Sequence, residues 1–266
     1  MFSAGDAYER FMGRWSRELA PLLVTFAGIG DGNAVLDVGS GTGALTAAVA
    51  AVAPSGRIIG IDPAAGYVAF AQARHPAAQV RFEVGDARKL QFADGSFDRT
   101  LSLLVFNFIP DPATALDEMI RVTRHGGTVT AAVWDYRQGM EMLRVFWDAV
   151  VALNPDMDLR DERHMPFCRS GELAALWRAS GLENVFDEAL TIAMRFPSFD
   201  DYWSPFLEGQ GPAGAYVATL PATDRERLRL ELHRRLTGAA DRPVVLSARA
   251  WAVRGVVPLL ARERRP

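Results

Sequence analysis

Apolar positions in the first half of the chain follow two different periods. Tyr8, Phe11, Met12, Trp15, Leu19, Leu22, Leu23 and Phe26 recur mostly three and four apart, so residues 8–26 predict a helix with one buried face. Pro21 predicts a kink or break in that helix, because proline lacks the N–H and crowds the preceding turn. Short apolar runs then predict strands at residues 34–38, 57–61, 80–84, 98–105 and 128–134. Helical stretches lie between them at 44–53, 63–74 and 113–124. Apolar strands that alternate with helices predict a parallel sheet covered on both faces.

The second half is less regular. Helices are predicted at 139–153, ended by Asn154-Pro155, and at 170–180, with Ser170 as the cap and Gly181 as the stop. A long strand is predicted at 183–196, followed by an aromatic, glycine-rich stretch over 197–220. Thr223-Asp224-Arg225-Glu226 has the form of a capping box that opens a helix to residue 236, with Leu228, Leu232 and Leu236 as its apolar row. A final strand is predicted at 244–253.

Composition narrows the class. The 266 residues suffice for one large domain or one domain with a sizeable insertion, and 49% hydrophobic with 23% charged residues is ordinary for a soluble protein. A net charge of −3 leaves no basic footprint for nucleic acid. Cys168 is the sole cysteine, which excludes an internal disulfide and a multi-cysteine zinc site. No metal cluster is visible. The apolar run at 101–109 is too short and too polar to span a bilayer, and the first six residues lack a basic-then-apolar pattern. A cytoplasmic protein without membrane or nucleic-acid partners is expected; the oligomeric state stays open.

The chemistry concentrates in Val35-Leu36-Asp37-Val38-Gly39-Ser40-Gly41-Thr42-Gly43, a buried strand that runs into glycines at every second position and then into a helix. Glycines there let backbone approach a ligand closely, and the helix N-terminus offers free N–H groups. Gly39, Gly41 and Ala44 also fit the G-x-G-x-x-A spacing of dinucleotide sites, which alone is weak. Asp37 argues against that reading, because a carboxylate at the mouth repels pyrophosphate and attracts a cation. S-adenosylmethionine (SAM) has no phosphate and carries an ammonium and a sulfonium. Asp37, Asp62 and Asp86 close three successive predicted strands, whose ends face one crevice in an open parallel sheet. Asp62 suits ribose hydroxyls and Asp86 an exocyclic amine. Asp62 as a helix cap, Asp86 as a turn former and Asp37 as a backbone acceptor are the structural alternatives.

These segments resemble the class I SAM-dependent methyltransferases, closest to the small-molecule branch that includes quinone-biosynthesis methyltransferases. The resemblance rests on the glycine loop, on Gly60-Ile61-Asp62-Pro63, Gly85-Asp86-Ala87 and Phe92-Ala93-Asp94-Gly95-Ser96-Phe97-Asp98. It continues through Asn107-Phe108-Ile109-Pro110-Asp111 and Glu118…Arg121-Val122…Gly126-Gly127. It implies a Rossmann-like α/β fold with a seven-stranded, mostly parallel sheet, helices on both faces and a mainly helical lid inserted after strand five and between strands six and seven. The implied units are residues 1–32 as a helix over the cofactor, 33–135 as the SAM-binding core, 136–243 as a lid including strand six, and 244–266 as the final strand and tail.

For the cofactor, the resemblance implies contacts from Gly39, Gly41, Thr42 and Gly43, from Asp62 and Pro63, from Asp86 and Ala87 around the adenine, and from Leu104. Tyr8 is expected to cover the ligand and Arg14, with Arg17 as competitor, to pair with the methionine carboxylate. S-adenosylhomocysteine (SAH) is the implied product. The sequence departs from the family at Arg124-His125, where Lys-Pro is common, and lacks an Asn-Pro-Pro-Tyr-like segment, which removes support for amide or nucleobase-amine methylation.

The methyl acceptor is expected under a lid with Trp134, Tyr136, Phe146, Trp147, Phe199, Tyr202, Trp203, Phe206 and Tyr216 as walls. Gly209-Gln210-Gly211-Pro212 reads as a hinge or a turn. No catalytic base is evident; His164 and Asp135 are the foremost candidates, with Glu141 and Asp201 behind them. His75, His125 and His233 read as surface residues. An NAD-dependent oxidoreductase and a non-catalytic SAM-binding protein are the competing readings.

Overall fold

The computed structural model describes residues 4–155, 161–238 and 242–259. Residues 1–3, 156–160, 239–241 and 260–266, the last within the expected final strand and tail at 244–266, lie outside the described residues. Strands β1 (Ala34–Val38), β2 (Arg57–Asp62), β3 (Val80–Val84), β4 (Phe97–Leu103), β5 (Thr123–Trp134), β6 (Glu183–Phe196) and β7 (Val244–Val256) form one seven-stranded sheet in the order β3-β2-β1-β4-β5-β7-β6. The first five strands are parallel, and β7 runs antiparallel to both β5 and β6. This is the Rossmann-like α/β architecture, seven-stranded and mostly parallel, that the family resemblance implies.

Before β1 come α1 (Ala4–Tyr8), a π-helical turn (Glu9–Gly13) and α2 (Arg14–Ala27). Between the strands lie α3 (Ala44–Val52), α4 (Ala65–Arg74), α5 (Pro112–Val122), α6 (Glu141–Leu153) and α7 (Glu172–Ala179). Then α8 (Phe199–Trp203), α9 (Gly211–Thr219) and α10 (Ala222–Leu236) separate β6 from β7. Alternation along β1 divides the core. Val35 packs with α2 and α3, through Leu19, Leu23, Leu45 and Val49. Leu36 and Val38 pack on the other face with α5 and α7, through Leu116, Met119 and Trp177. All three β1 side chains are fully buried because both sheet faces are covered.

Several expectations change in the structure. Pro21 sits inside a continuous α2; it is exposed, so the carbonyl it frees one turn back can meet water. The irregularity lies earlier, at the π-helical turn. The capping box does not form: α10 starts at Ala222 after Pro221, with no side-chain cap. At α7 the cap is Gly171 at φ 81°, one residue after Ser170. Strand β4 ends at Leu103 because Leu104 turns to φ 64°, and a 3-10 turn, Phe106–Phe108, follows. Strand β5 begins five residues early, at Thr123, bulged against β4 between Phe97 and Arg99.

Candidate functional site

A cavity of about 430 Å³ opens at the C-terminal ends of β1 and β4, within the usual range of about 300–1,000 Å³ for small-molecule sites. Its floor is the glycine loop and Leu103–Val105; Tyr8, Phe11 and Met12 descend from the N-terminal segment, and Tyr136, Leu143, Glu162, Met165 and Gln210–Pro212 come from the two insertions. The π-helical turn has a consequence here. By widening one turn it places Phe11 and Met12 against the cavity rather than leaving them to a regular helical stripe.

The loop geometry explains why glycines stand where they do. The Gly39 and Ser40 amides both donate to the Ile61 carbonyl at 2.8 Å, so the loop folds back over β2. Gly39 has φ 79°, and a Cβ there would fall 2.6 Å from the Val105 methyls. Gly41, at φ 52°, would place a Cβ in open space, which is the cavity. Asp62 holds the loop from β2: Oδ2 accepts the Gly41 amide at 3.0 Å and Oδ1 accepts the Ala64 amide at 2.8 Å. The capping alternative for Asp62 and its place in the cavity wall therefore coexist.

Asp37 is fully buried, and Oδ2 accepts the Thr46 hydroxyl at 2.6 Å from the first turn of α3. Oδ1 and the neighbouring Ser40 Oγ have no hydrogen-bond partner. Burial pushes the Asp37 carboxyl up to about 7, against the pull of Thr46. An orphaned carboxylate oxygen in a cavity wall is a reserved place for a donor. Among the described residues no lysine, arginine or histidine lines this cavity; the ionisable groups in its wall are Asp37, Asp62, Glu162 and three phenols, Tyr8, Tyr67 and Tyr136. That set suits a ligand with donors and positive charge, and it offers nothing to a pyrophosphate.

Of the cofactor residues expected from sequence, Tyr8, Asp37, Gly39, Gly41, Thr42, Asp62 and Leu104 share this cavity. The Tyr8 hydroxyl lies 3.3 Å from Ser16 Oγ, and its ring lies 5.8 Å from that of Tyr67. The Thr42 hydroxyl donates to Glu9 Oε1 at 2.5 Å.

The structure places the other expected residues elsewhere. Arg14 points to the lid, where its guanidinium pairs with Asp201 at 2.9 Å and rests on the Trp15 and Phe196 rings. Arg17 pairs with Glu9. Asp86 is exposed and bonded to Arg88 at 2.7 Å, which holds its carboxyl down at about 2. Ala87 packs in the core on the opposite face of the sheet, and Pro63 is exposed. Gly43, at φ 90°, starts α3 against His75 and Phe82 without lining the cavity.

The base candidates also have other work. Asp135 is buried, accepts the Gln138 amide at 2.9 Å and binds Arg249 Nε at 3.0 Å. Glu141 accepts the Ser247 amide at 2.7 Å, which ties α6 to β7. Asp201 is taken by Arg14. The His164 side chain is 76% exposed, beside Asp161. Of the nine lid aromatics, Trp134 and Tyr136 reach the cavity. The others pack largely on one another, with Phe146 stacked on Phe206 at 4.7 Å and the Tyr202 hydroxyl donating to the Met142 carbonyl at 3.0 Å.

The cavity wall also holds Glu162, two residues before His164 and not among the residues expected there from the sequence. Its side chain is buried, and Oε2 accepts the Trp147 indole N–H at 2.6 Å. Burial raises its pKa, offset in part by its own amide, by Trp147 and by the Ala213 amide at the start of α9. Nothing in the run Asp161-Glu162-Arg163-His164 marks it. Only the 3-10 turn at Glu162–His164 sends Asp161 to Arg163 and Glu162 inward. Among the described residues, no group of His, Cys, Asp and Glu is arranged to hold a metal ion, and no helix is long and apolar enough to cross a membrane.

Residues 36–131 match the family described as a methyltransferase domain. An uncharacterised protein of Mycobacterium tuberculosis (strain H37Rv) is 29% identical over 241 residues, covering 86% of this chain and 85% of its own length. A ubiquinone/menaquinone biosynthesis C-methyltransferase of Bdellovibrio bacteriovorus is 37% identical over 109 residues, 40% of this chain and 46% of its own. Among solved structures, a chain of the complex between the Haloferax volcanii Trm112 methyltransferase activator and the putative methyltransferase superposes with a TM-score of 0.59. It is 22% identical and spans 97% of this chain and 99% of its own, a likeness of fold. The matched segment, residues 36–131, is similar to a methyltransferase domain and holds the glycine loop, Asp37, Asp62 and Leu104 of the cavity described above.

Proposed function

We propose that this protein is a SAM-dependent methyltransferase that acts on a small-molecule acceptor. The observation that carries this reading is the wall of one cavity: glycine loop, Asp37 with an orphaned oxygen, Asp62, and, among the described residues, no basic side chain. The residues fit the cofactor. Asp62 and the loop around Gly39 and Gly41 would hold its ribose and methionine part, Asp37 would receive the ammonium, Leu104 would back it, and Tyr8 would cover it. When bound, SAM supplies an activated methyl group on a positively charged sulfur.

The chain's own residues then have two tasks. Phe11, Met12, Trp134 and Leu143 exclude water, and the insertions align the acceptor for in-line attack. A nucleophile that attacks with a free lone pair needs no obligatory base before the attack, which agrees with the structural employment of Asp135 and the exposure of His164. The reading carries with it a cytoplasmic setting and neither nucleic acid nor membrane as partner.

Isothermal titration with SAM, SAH and NAD tests it. SAM and SAH are expected to bind and NAD is not; NAD binding without SAM binding would reverse the assignment. SAM binding with no transfer across a broad acceptor screen would favour a non-catalytic SAM-binding protein.

A further inference from the structure

The cavity has a second end, remote in sequence from the glycine loop. There Glu162, Tyr136, Met165 and the Gln210–Pro212 turn meet, framed by the apolar side chains of Phe11, Phe108 and Leu143. Glu162 is 4% exposed, and among the described residues no lysine, arginine or histidine lines the cavity beside it. Its Oε2 is committed to Trp147, while Oε1 lies on the Gly211 side, 4.0 Å from where a Cβ of that glycine would stand. Gly211 needs its φ of 65° and lines the cavity itself, so Oε1 borders the space a ligand would enter. The adjacent Arg163 is turned to Asp161, and the Tyr136 phenol shares the cavity wall with Glu162. The Glu162 amide and the Ala213 amide help Trp147 to hold the carboxyl, and a cationic ligand would add the counter-charge that this apolar wall lacks.

Resting on the reading of the site as a methyltransferase, we propose that the methyl acceptor is a lipophilic amine and that Glu162 is the group that receives it. Glu162 and the aromatic rings recognise the ammonium form, through charge and through ring faces. The ammonium then passes one proton to Glu162 Oε1, which leaves a neutral carboxylic acid and a free lone pair on nitrogen. That pair forms the new nitrogen–carbon bond as the methyl carbon–sulfur bond breaks, and its electrons stay on sulfur as a neutral thioether. The positive charge moves from sulfur to the methylated nitrogen, so charge and atoms balance. Acceptors with a phosphate or carboxylate would face Glu162, Asp37 and Asp62 with no compensating cation, and they are excluded on the same ground.

The test uses the full chain loaded with SAH and a matched set of probes: 2-phenylethylamine, 4-ethylphenol, 2-phenylethanol and 3-phenylpropanoate. Calorimetry or competition should rank the amine first by about tenfold or more, with the carboxylate weakest. In E162Q, which keeps an acceptor for the Trp147 N–H, the amine should lose that advantage to within about twofold while SAH binding is unchanged. SAH binding by the variant reports that it is folded; should it not fold, the ranking on the native protein still decides. Equal or reversed ranking, no detectable binding of the amine at millimolar concentration, or an amine preference that survives E162Q overturns the proposal. Failure of SAH itself to bind the native protein overturns the methyltransferase reading instead.

Discussion

The two ends of the cavity are built by different means. At the glycine-loop end the acids and glycines of the wall sit near the end of a strand or in the turn after it. Asp37 and Asp62 are held by bonds to Thr46, Gly41 and Ala64, all within a short reach of chain. At the lid end the wall comes from five separate segments, around Phe11, Phe108, Tyr136, Glu162 and Gly211, with pairs far apart in sequence such as Arg10–Glu208 and Arg14–Asp201 nearby. Strand ends are positioned by the sheet before any ligand arrives, whereas the lid end exists only once insertions from both halves of the chain have docked. The first end should therefore respond sharply to single changes and the second only weakly to loss of one clamp.

The largest effect is expected from Gly39→Ala. A Cβ at φ 79° and 2.6 Å from Val105 combines backbone strain with overlap, and a loss of roughly 2–4 kcal/mol should appear in a denaturant midpoint. Asp62→Ala comes next. It frees the Gly41 and Ala64 amides and removes a ligand acceptor, so SAH affinity should fall about 100-fold by calorimetry.

Asp37 predicts a pH dependence. Its folded pKa of about 7 lies above the unfolded value near 3.8, so the folded state holds the extra proton between those limits. Stability of the free protein should be greatest below that window, fall as pH rises through it and level off above about 7. A cationic ligand favours the ionised form, so SAM affinity should instead rise, by about tenfold from pH 6 to pH 8. Asp37→Asn should flatten both curves in thermal melts and titrations.

Smaller effects belong to the lid and to the sheet rim. Arg14→Ala should cost no more than about 1 kcal/mol, because the pair with Asp201 is partly solvated, and should leave SAH affinity within about twofold. Asp86→Ala should be smaller still, with SAH affinity again within about twofold, since that carboxylate is exposed and engaged with Arg88. A large loss of SAH affinity in either variant would show that binding rearranges the site, and it would erase the contrast between the two ends.

How much was legible follows the same division. The bounds of β1, β3 and β6 coincide with the apolar runs that predict them, and Asp37 and Asp62 fall in the cavity wall as their strand-end positions imply. Asp86 obeys the same rule of position and still misses the cavity. It follows β3, the outermost strand, and Arg88 two residues on competes for it. Arg14 was drawn away by a partner 187 residues distant, which no local pattern announces.

The alternation of apolar strands and helices, with glycines after the first strand, determined the sheet, the order of its early strands' ends and a place where backbone is open to a ligand. Those properties depend on neighbours within a few residues, through periodicity and turn chemistry. Which acids face the cavity and which are spent in ion pairs was decided by tertiary contact alone. Burial and pairing are properties of three-dimensional surroundings, and Glu162 and Asp161, adjacent in sequence, were sent to opposite fates by one short turn.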